Sequence, residues 1–225
     1  MSKILVSLSG GIDSTTLLGF ILDGGHQTTA ISFTYGSKHN KYENESARQV
    51  AAFYGVELIE LDISQAMTNI ESNLLLSGGE IPEGHYAAEN MKSTVVPGRN
   101  MIFLSIMAGI AASRGFESLA IGVHSGDHAI YPDCRPDFIS HMNHAIQFGT
   151  DFAVKMVRTP FINMDKRQIV SIGKSSLMIQ PPYHLTRTCY KDQPLACGKC
   201  GSCVERLEAF EQNGWIDPVE YEVTE

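Results

Sequence analysis

Hydrophobic and polar positions along the chain change period again and again, and the changes mark strands alternating with helices. Lys3 to Leu8 is a nearly unbroken apolar run rich in Ile, Leu and Val, the pattern of a strand buried on both faces. From about Asp13 to Leu22 the apolar residues recur at helical spacing, and Gly24-Gly25 supplies a C-terminal stop. The β-branched run Thr28 to Thr34 predicts a second strand, Tyr42 to Phe53 a helix ended by Gly55, and Val56 to Leu61 a third strand. Further on, Asn100 to Ala112 reads as a strongly apolar helix closed by Gly115, Ser118 to Val123 as a fourth strand and Pro136 to Gln147 as a helix. Val154 to Val157 is a short strand, and Asp165 suits the N-cap of a helix running to about Ser175. Met67 to Lys92 keeps no period and carries Gly78-Gly79, Pro82 and Gly84, so it reads as a long loop or lid.

This alternation predicts an α/β fold, a doubly wound and mostly parallel sheet with helices on both faces. Ligands on such sheets bind beyond the C-terminal ends of the strands. After Pro181-Pro182 the pattern gives way to a cysteine-bearing tail. The chain is therefore divided into an α/β nucleotide-binding domain, 1–178, and a C-terminal cysteine segment, 179–225.

Candidate chemistry falls at the predicted strand ends. Leu8-Ser9-Gly10-Gly11-Ile12-Asp13-Ser14-Thr15 joins the first strand to the first helix. The glycines permit close backbone approach and positive φ, and the unpaired amides of a helix start make an anion site suited to phosphate. Ser9, Ser14 and Thr15 add hydroxyls, and Asp13 makes sense beside phosphates if it holds Mg²⁺. The loop lacks the lysine of a Walker A sequence. In Val96-Pro97-Gly98-Arg99-Asn100, a forced turn sets Arg99 in a strand-end loop, able to pair with phosphate or carboxylate. Tyr35-Gly36-Ser37-Lys38-His39 follows the second strand, in the place expected for adenosine or phosphate contacts.

Cys189, Cys197, Cys200 and Cys203 follow C-x7-C-x2-C-x2-C, which brings three sulfurs tightly onto one cation and a fourth across a loop. Four thiolates suit one structural Zn²⁺, whose binding, on the order of 10–16 kcal/mol, would order a tail with little apolar core of its own. An iron–sulfur cluster accepts the same residues. Cys134 follows the fourth strand within His124-Ser125-Gly126-Asp127-His128-Ala129-Ile130-Tyr131-Pro132-Asp133-Cys134-Arg135-Pro136. Asp127, Tyr131, Asp133 and Arg135 supply acids, a ring and a cation suited to a flat polar heterocycle. Cys134 itself reads as a small buried residue rather than a nucleophile, and His124 and His128 as loop histidines rather than ligands.

Composition adds limits. With 225 residues and 43% hydrophobic content the chain can bury a core without staples. A formal net charge of -8 argues for a small-molecule substrate over long nucleic acid, which is gripped by basic surfaces. No apolar run reaches the roughly 18 residues of a membrane span, and no signal peptide is visible. The expectation is a cytoplasmic protein, without membrane or nucleic-acid partners, whose five cysteines are ligands or thiols before disulfides.

The Ser-Gly-Gly-Ile-Asp-Ser loop resembles the pyrophosphate loop of the ATP pyrophosphatase superfamily. Together with Val96-Pro97-Gly98-Arg99-Asn100, Tyr131-Pro132-Asp133-Cys134-Arg135 and the terminal cysteines, it is similar to the 7-cyano-7-deazaguanine synthase family over nearly the whole chain. Two stretches depart from that pattern, Ser37-Lys38 and His128-Ala129-Ile130. The resemblance implies an ATP-dependent ligase that converts 7-carboxy-7-deazaguanine and ammonia to the nitrile in queuosine biosynthesis, through adenylated intermediates, as a homodimer with one Zn²⁺ per chain. It places nucleotide contacts on Leu8 to Thr15, on Thr16, Leu17 and Leu18 of the first helix, and on Lys38 and Arg99. Asp13, Ser14 and Arg99 act on the departing pyrophosphate, with Mg²⁺. The competing readings are a tRNA thiolase of the same superfamily, which adenylates a base oxygen, and a non-enzymic zinc and nucleotide module.

Overall fold

The computed structural model describes residues 1–85 and 88–222. Among the described residues there are five strands, β1 (Lys3–Ser7), β2 (Gln27–Thr34), β3 (Glu57–Asp62), β4 (Ser118–Ala120) and β5 (Met156–Arg158). The same residues form six α-helices, α1 (Ile12–Asp23), α2 (Asn40–Tyr54), α3 (Arg99–Arg114), α4 (Pro136–Gly149), α5 (Lys166–Ser175) and α6 (Gly201–Glu211). The sheet runs β3-β2-β1-β4-β5 and every pairing is parallel. The chain winds outward from β1 to β3, then returns through α3 to lay β4 on the other side of β1. Between β1 and β4 the connections leave in opposite directions, which opens a crevice at the strand ends.

Alternation within β1 divides its residues between two cores. Leu5 faces a core built with Leu104, Met107 and Ala111 of α3 and Ile139 and Ile146 of α4. Ile4 and Val6 face the other, with Leu17 and Leu18 of α1, Val50 of α2 and Ile169 of α5. Both faces are covered, which is why these strands read as apolar runs rather than as polar–apolar alternation.

Two expectations need correction. The described part of 67–92 is built into the body of the protein. Met67, Leu74, Leu75 and Met91 are buried in the α3-side core, and Ser37 bridges to Leu75. Gly78-Gly79, Pro82 and Gly84 lie between Leu75 and Met91 in chain with neither helix nor strand, so the stretch is a loop as expected, but one anchored on the core rather than a free lid. Residues 86 and 87 of that stretch lie outside the described ones. The tail also has an apolar core. Ala209 and Phe210 of α6 pack with Ile12, Val170 and Tyr183, so α6 sits on the starts of α1 and α5. Cysteine spacing masked this helix, because Gly201-Ser202-Cys203 reads as ligand geometry while forming its first turn.

One helical stretch, Glu89–Arg114, is long and apolar enough by length and composition to cross a membrane, more than the sequence reading allowed. It is two pieces. Gly98 in the left-handed region separates a 3₁₀ segment from α3, and Leu104, Met107, Ala108 and Ala111 of α3 are buried in the core.

Candidate active site

The loop leaving β1 is shaped by what surrounds it. Leu8 N–H still donates to Ile31 O at 2.8 Å, so the chain stays on the sheet for one residue past the strand. Gly10 then adopts φ +86, and a Cβ there would lie 2.7 Å from Glu43 O and from Ala47 N. Only glycine lets the loop lie against the backbone of α2. Ser14 Oγ accepts from Ser9 N–H at 3.2 Å, and the Ser9 and Ser14 hydroxyls meet at 3.1 Å. The loop is thereby folded over the N-terminus of α1, whose first amides have no intrahelical carbonyl to bind.

Asp13, in the first turn of α1, divides its two oxygens. Oδ2 lies 3.3 Å from Lys166 Nζ and 3.7 Å from His124 Nε2. Oδ1 is buried and has no hydrogen-bond partner among the described residues. A carboxylate oxygen left this way suits a hard cation or a ligand donor. His124 is buried, and its Nδ1 accepts the Gly126 amide at 3.1 Å, so the ring proton belongs on Nε2. That edge faces Asp13 and also Asp127 Oδ2, 3.6 Å away.

One cleft at the crevice collects about half of the expected nucleotide and substrate groups. Leu8, Ser9, Gly11, Asp13 and Ser14 of the loop line it, with Arg99 at the start of α3 and with Asp127 and Tyr131 beyond β4. The aromatic rings of Phe33 and Phe103 on its wall stack at 4.2 Å. Tyr131 lies beneath Arg99, with 5.8 Å from guanidinium to ring, and its hydroxyl meets Thr94 Oγ1 at 2.9 Å.

Other expected residues lie elsewhere. Ile12, Thr15, Thr16, Leu17 and Leu18 are fully buried along α1, and Thr16 Oγ1 meets Tyr183 OH at 2.8 Å. Lys38 turns away from the cleft and donates to Gly78 O and Gly79 O. Asp133 does not line the cleft. Its Oδ2 accepts the Asn100 amide at 2.8 Å and so satisfies the start of α3. Arg135 is also off the cleft, with Nε donating to His128 O at 2.8 Å. Lys38, Asp133 and Arg135 each satisfy a backbone group, which their position in the sequence cannot reveal. Cys134 lines the cleft but is almost fully buried, and burial pushes its thiol far above the ordinary range.

His39, expected from the stretch after β2, lines the cleft as the N-cap of α2, whereas Lys166 of α5, Glu43 of α2, and Arg187, Thr188, Tyr190 and Ser202 of the tail escaped the sequence reading. Arg187 N–H donates to Gly10 O at 2.8 Å, which ties the tail to the loop.

The four tail cysteines come together as spaced. Their sulfurs lie within 4.8 Å of one another, all four residues are buried, and none is disulfide-bonded. Cys197 and Cys203 are 3.9 Å apart at sulfur. A tetrahedron of Zn–S bonds of about 2.3 Å has edges near 3.8 Å. Backbone amides of Lys191 and Cys197 point at Cys189 Sγ, and those of Lys199 and Cys200 at Cys197 Sγ, between 3.3 and 3.4 Å. Such donors stabilise thiolates, so the set fits a single metal ion.

A doubly wound parallel sheet carrying a Ser-Gly-Gly-x-Asp-Ser loop at its switch point defines an α/β protein with an anion-binding loop at its strand ends. The solved structure of NMN synthetase from Francisella tularensis shares the fold at 16% identity, with a TM-score of 0.50 over 99% of this chain and 79% of that one. Residues 3–214 match the family described as Queuosine biosynthesis protein QueC. The 7-cyano-7-deazaguanine synthase of Pseudoalteromonas atlantica is 45% identical over 99% of this chain and 100% of that protein. That of Caldicellulosiruptor saccharolyticus is 43% identical over 98% and 96%. The chain belongs to the 7-cyano-7-deazaguanine synthase family.

Proposed function

We propose that this chain converts 7-carboxy-7-deazaguanine and ammonia to 7-cyano-7-deazaguanine at the expense of ATP, in queuosine biosynthesis. The observation that carries this reading is the meeting, in one cleft, of the serine–glycine loop, the half-free Asp13 carboxylate and Arg99.

A carboxylate is a poor electrophile and oxide a poor leaving group, and adenylation corrects both. The substrate carboxylate attacks the α-phosphorus of ATP, releasing pyrophosphate and forming an acyl-adenylate. Ammonia displaces AMP and leaves an amide. The amide oxygen attacks a second ATP in the same way, and loss of AMP with a proton leaves the nitrile. Positioning and charge stabilisation supply the catalysis. The α1 amides with Ser9 and Ser14 hold the outer phosphates, and Arg99 neutralises the departing charge. Mg²⁺ would supply further charge neutralisation, with Asp13 Oδ1 as its fitting protein ligand. Asp127 and Tyr131 face the deazaguanine, while Asp133 and Arg135 act from outside the cleft, on the Asn100 amide and the His128 carbonyl.

The cysteine set holds one Zn²⁺ as a closed structural site, since four sulfurs this close suit a single ion better than a larger cluster. The amine donor is free ammonia, the protein works in the cytoplasm, and the assembly is a homodimer. Incubation with ATP, Mg²⁺, the carboxylated base and ammonium, without RNA, tests the reading by mass detection of the nitrile. Failure to form amide or nitrile while AMP accumulates on an RNA substrate would favour a thiolase instead.

A further inference from the structure

Lys166 is the first residue of α5, directly after the N-cap Asp165, where a lysine is ordinarily solvated and unfavourable beside the helix dipole. Here it is 6% exposed and reaches the cleft. Its ammonium lies 2.6 Å from Glu205 Oε2 on α6 and 3.3 Å from Asp13 Oδ2 on α1. Burial alone would lower its pKa, but the Asp13, Glu205 and Asp127 carboxylates outweigh that and hold it charged. Burial likewise pushes Glu205 up, against the pull of Lys166 and His124.

A buried lysine between two carboxylates on two other helices is costly to assemble. Its consequence is geometric. Asp13 Oδ2 is held by Lys166, while Oδ1 has no hydrogen-bond partner among the described residues. Glu205 holds the lysine from α6, two residues beyond Cys203 on the same helix. The cysteine-bearing segment meets the loop at a second point as well, where Arg187 N–H donates to Gly10 O.

We propose that Lys166 is a positioning residue for Asp13, clamped by Glu205, and that through this clamp the cysteine-bearing helix completes the nucleotide site. This rests on the reading of Asp13 as the Mg²⁺–ATP carboxylate. The tail segment is then part of the catalytic apparatus and not only a brace for the fold.

The test uses the full chain in four forms: wild type, Glu205→Gln, Lys166→Met/Glu205→Gln, and Glu211→Gln on the exposed end of α6. The double variant removes the lysine without leaving Glu205 charged and unpaired. Two readouts are taken beside metal content and melting temperature. The first is the ratio of ATP dissociation constants in EDTA and in Mg²⁺, with no base present. The second is kcat and KM for AMP formation.

The Mg²⁺-dependent gain in ATP affinity should fall at least threefold in the double variant, and kcat about 10- to 100-fold, with metal content and KM for the base unchanged. Glu205→Gln should fall between the double variant and wild type, and Glu211→Gln should match wild type. A lysine serving only stability would move the melting temperature and leave the Mg²⁺ ratio intact. An unchanged ratio and kcat within twofold of wild type in folded Glu205→Gln and double variants would overturn the proposal; if only Glu205→Gln folds, its ratio and kcat decide. Because the ratio needs no base, it stands apart from the functional reading, which fails instead if wild type makes no AMP from the carboxylated base.

Discussion

Replacing Gly10 with alanine tests how the phosphate loop is held. The residue has φ +86, and an added Cβ would stand 2.7 Å from Glu43 O, Ala47 N and Ser46 Cβ, all on α2. Holding an L-residue in that region costs about 1–2 kcal/mol. Forcing a methyl into a filled space costs about 1–3 kcal/mol more. The smaller entropy of the unfolded alanine chain returns about 0.4–1 kcal/mol. The expected net loss is about 1–5 kcal/mol, a large part of the 5–15 kcal/mol typical of a domain. Gly36 is the control: its φ is +80, but a Cβ there meets nothing within 4 Å. Gly36→Ala should therefore show the conformational cost alone, about 1 kcal/mol or less. Urea denaturation of both variants, at an unchanged slope, isolates the contact with α2. Losses equal within about 0.5 kcal/mol would refute the close approach of loop and helix.

Three further outcomes follow from the same geometry. Asp13→Ala should cut AMP formation by about 100-fold or more while the melting temperature stays within a few degrees, an effect of the size seen when a preorganised charge contact is removed; near-normal turnover would remove Asp13 from the site. Arg206 donates to both oxygens of Asp217 at 2.6 and 2.8 Å and to Thr186 and Thr188, with both charged side chains buried. Arg206→Met should destabilise the protein by about 3–5 kcal/mol by leaving a buried acid unpaired, and Arg206→Lys should recover little of it, both read by denaturant titration. Cys134, with its thiol pKa pushed up by burial, should resist iodoacetamide at pH 8 in the native protein and react after unfolding, as peptide mass mapping would show.

The first five helices were legible because each has to bury one face, which writes a period into the sequence, and the central strands because burial on both faces writes an apolar run. The phosphate loop was legible because its residues are contiguous and its chemistry is local. Lys166 was not. A lysine beside an N-cap reads as a solvated side chain until α1 and α6 bring Asp13 and Glu205 to it from positions far apart in the chain. Asp133 misled for the converse reason. A carboxylate in a strand-end loop looks like a ligand group, yet its nearest need is the Asn100 amide at the start of α3. The tail helix was hidden by its own cysteines, whose ligand spacing took precedence over the apolar Ala209 and Phe210 that seat it.

The most direct test of the central claim is to follow oxygen. With 7-carboxy-7-deazaguanine labelled with ¹⁸O in both carboxylate oxygens, each nitrile formed should be accompanied by two AMP, each carrying one labelled oxygen, and by unlabelled pyrophosphate. Formation of ADP, or AMP without label, would contradict attack of the substrate oxygen on the α-phosphorus.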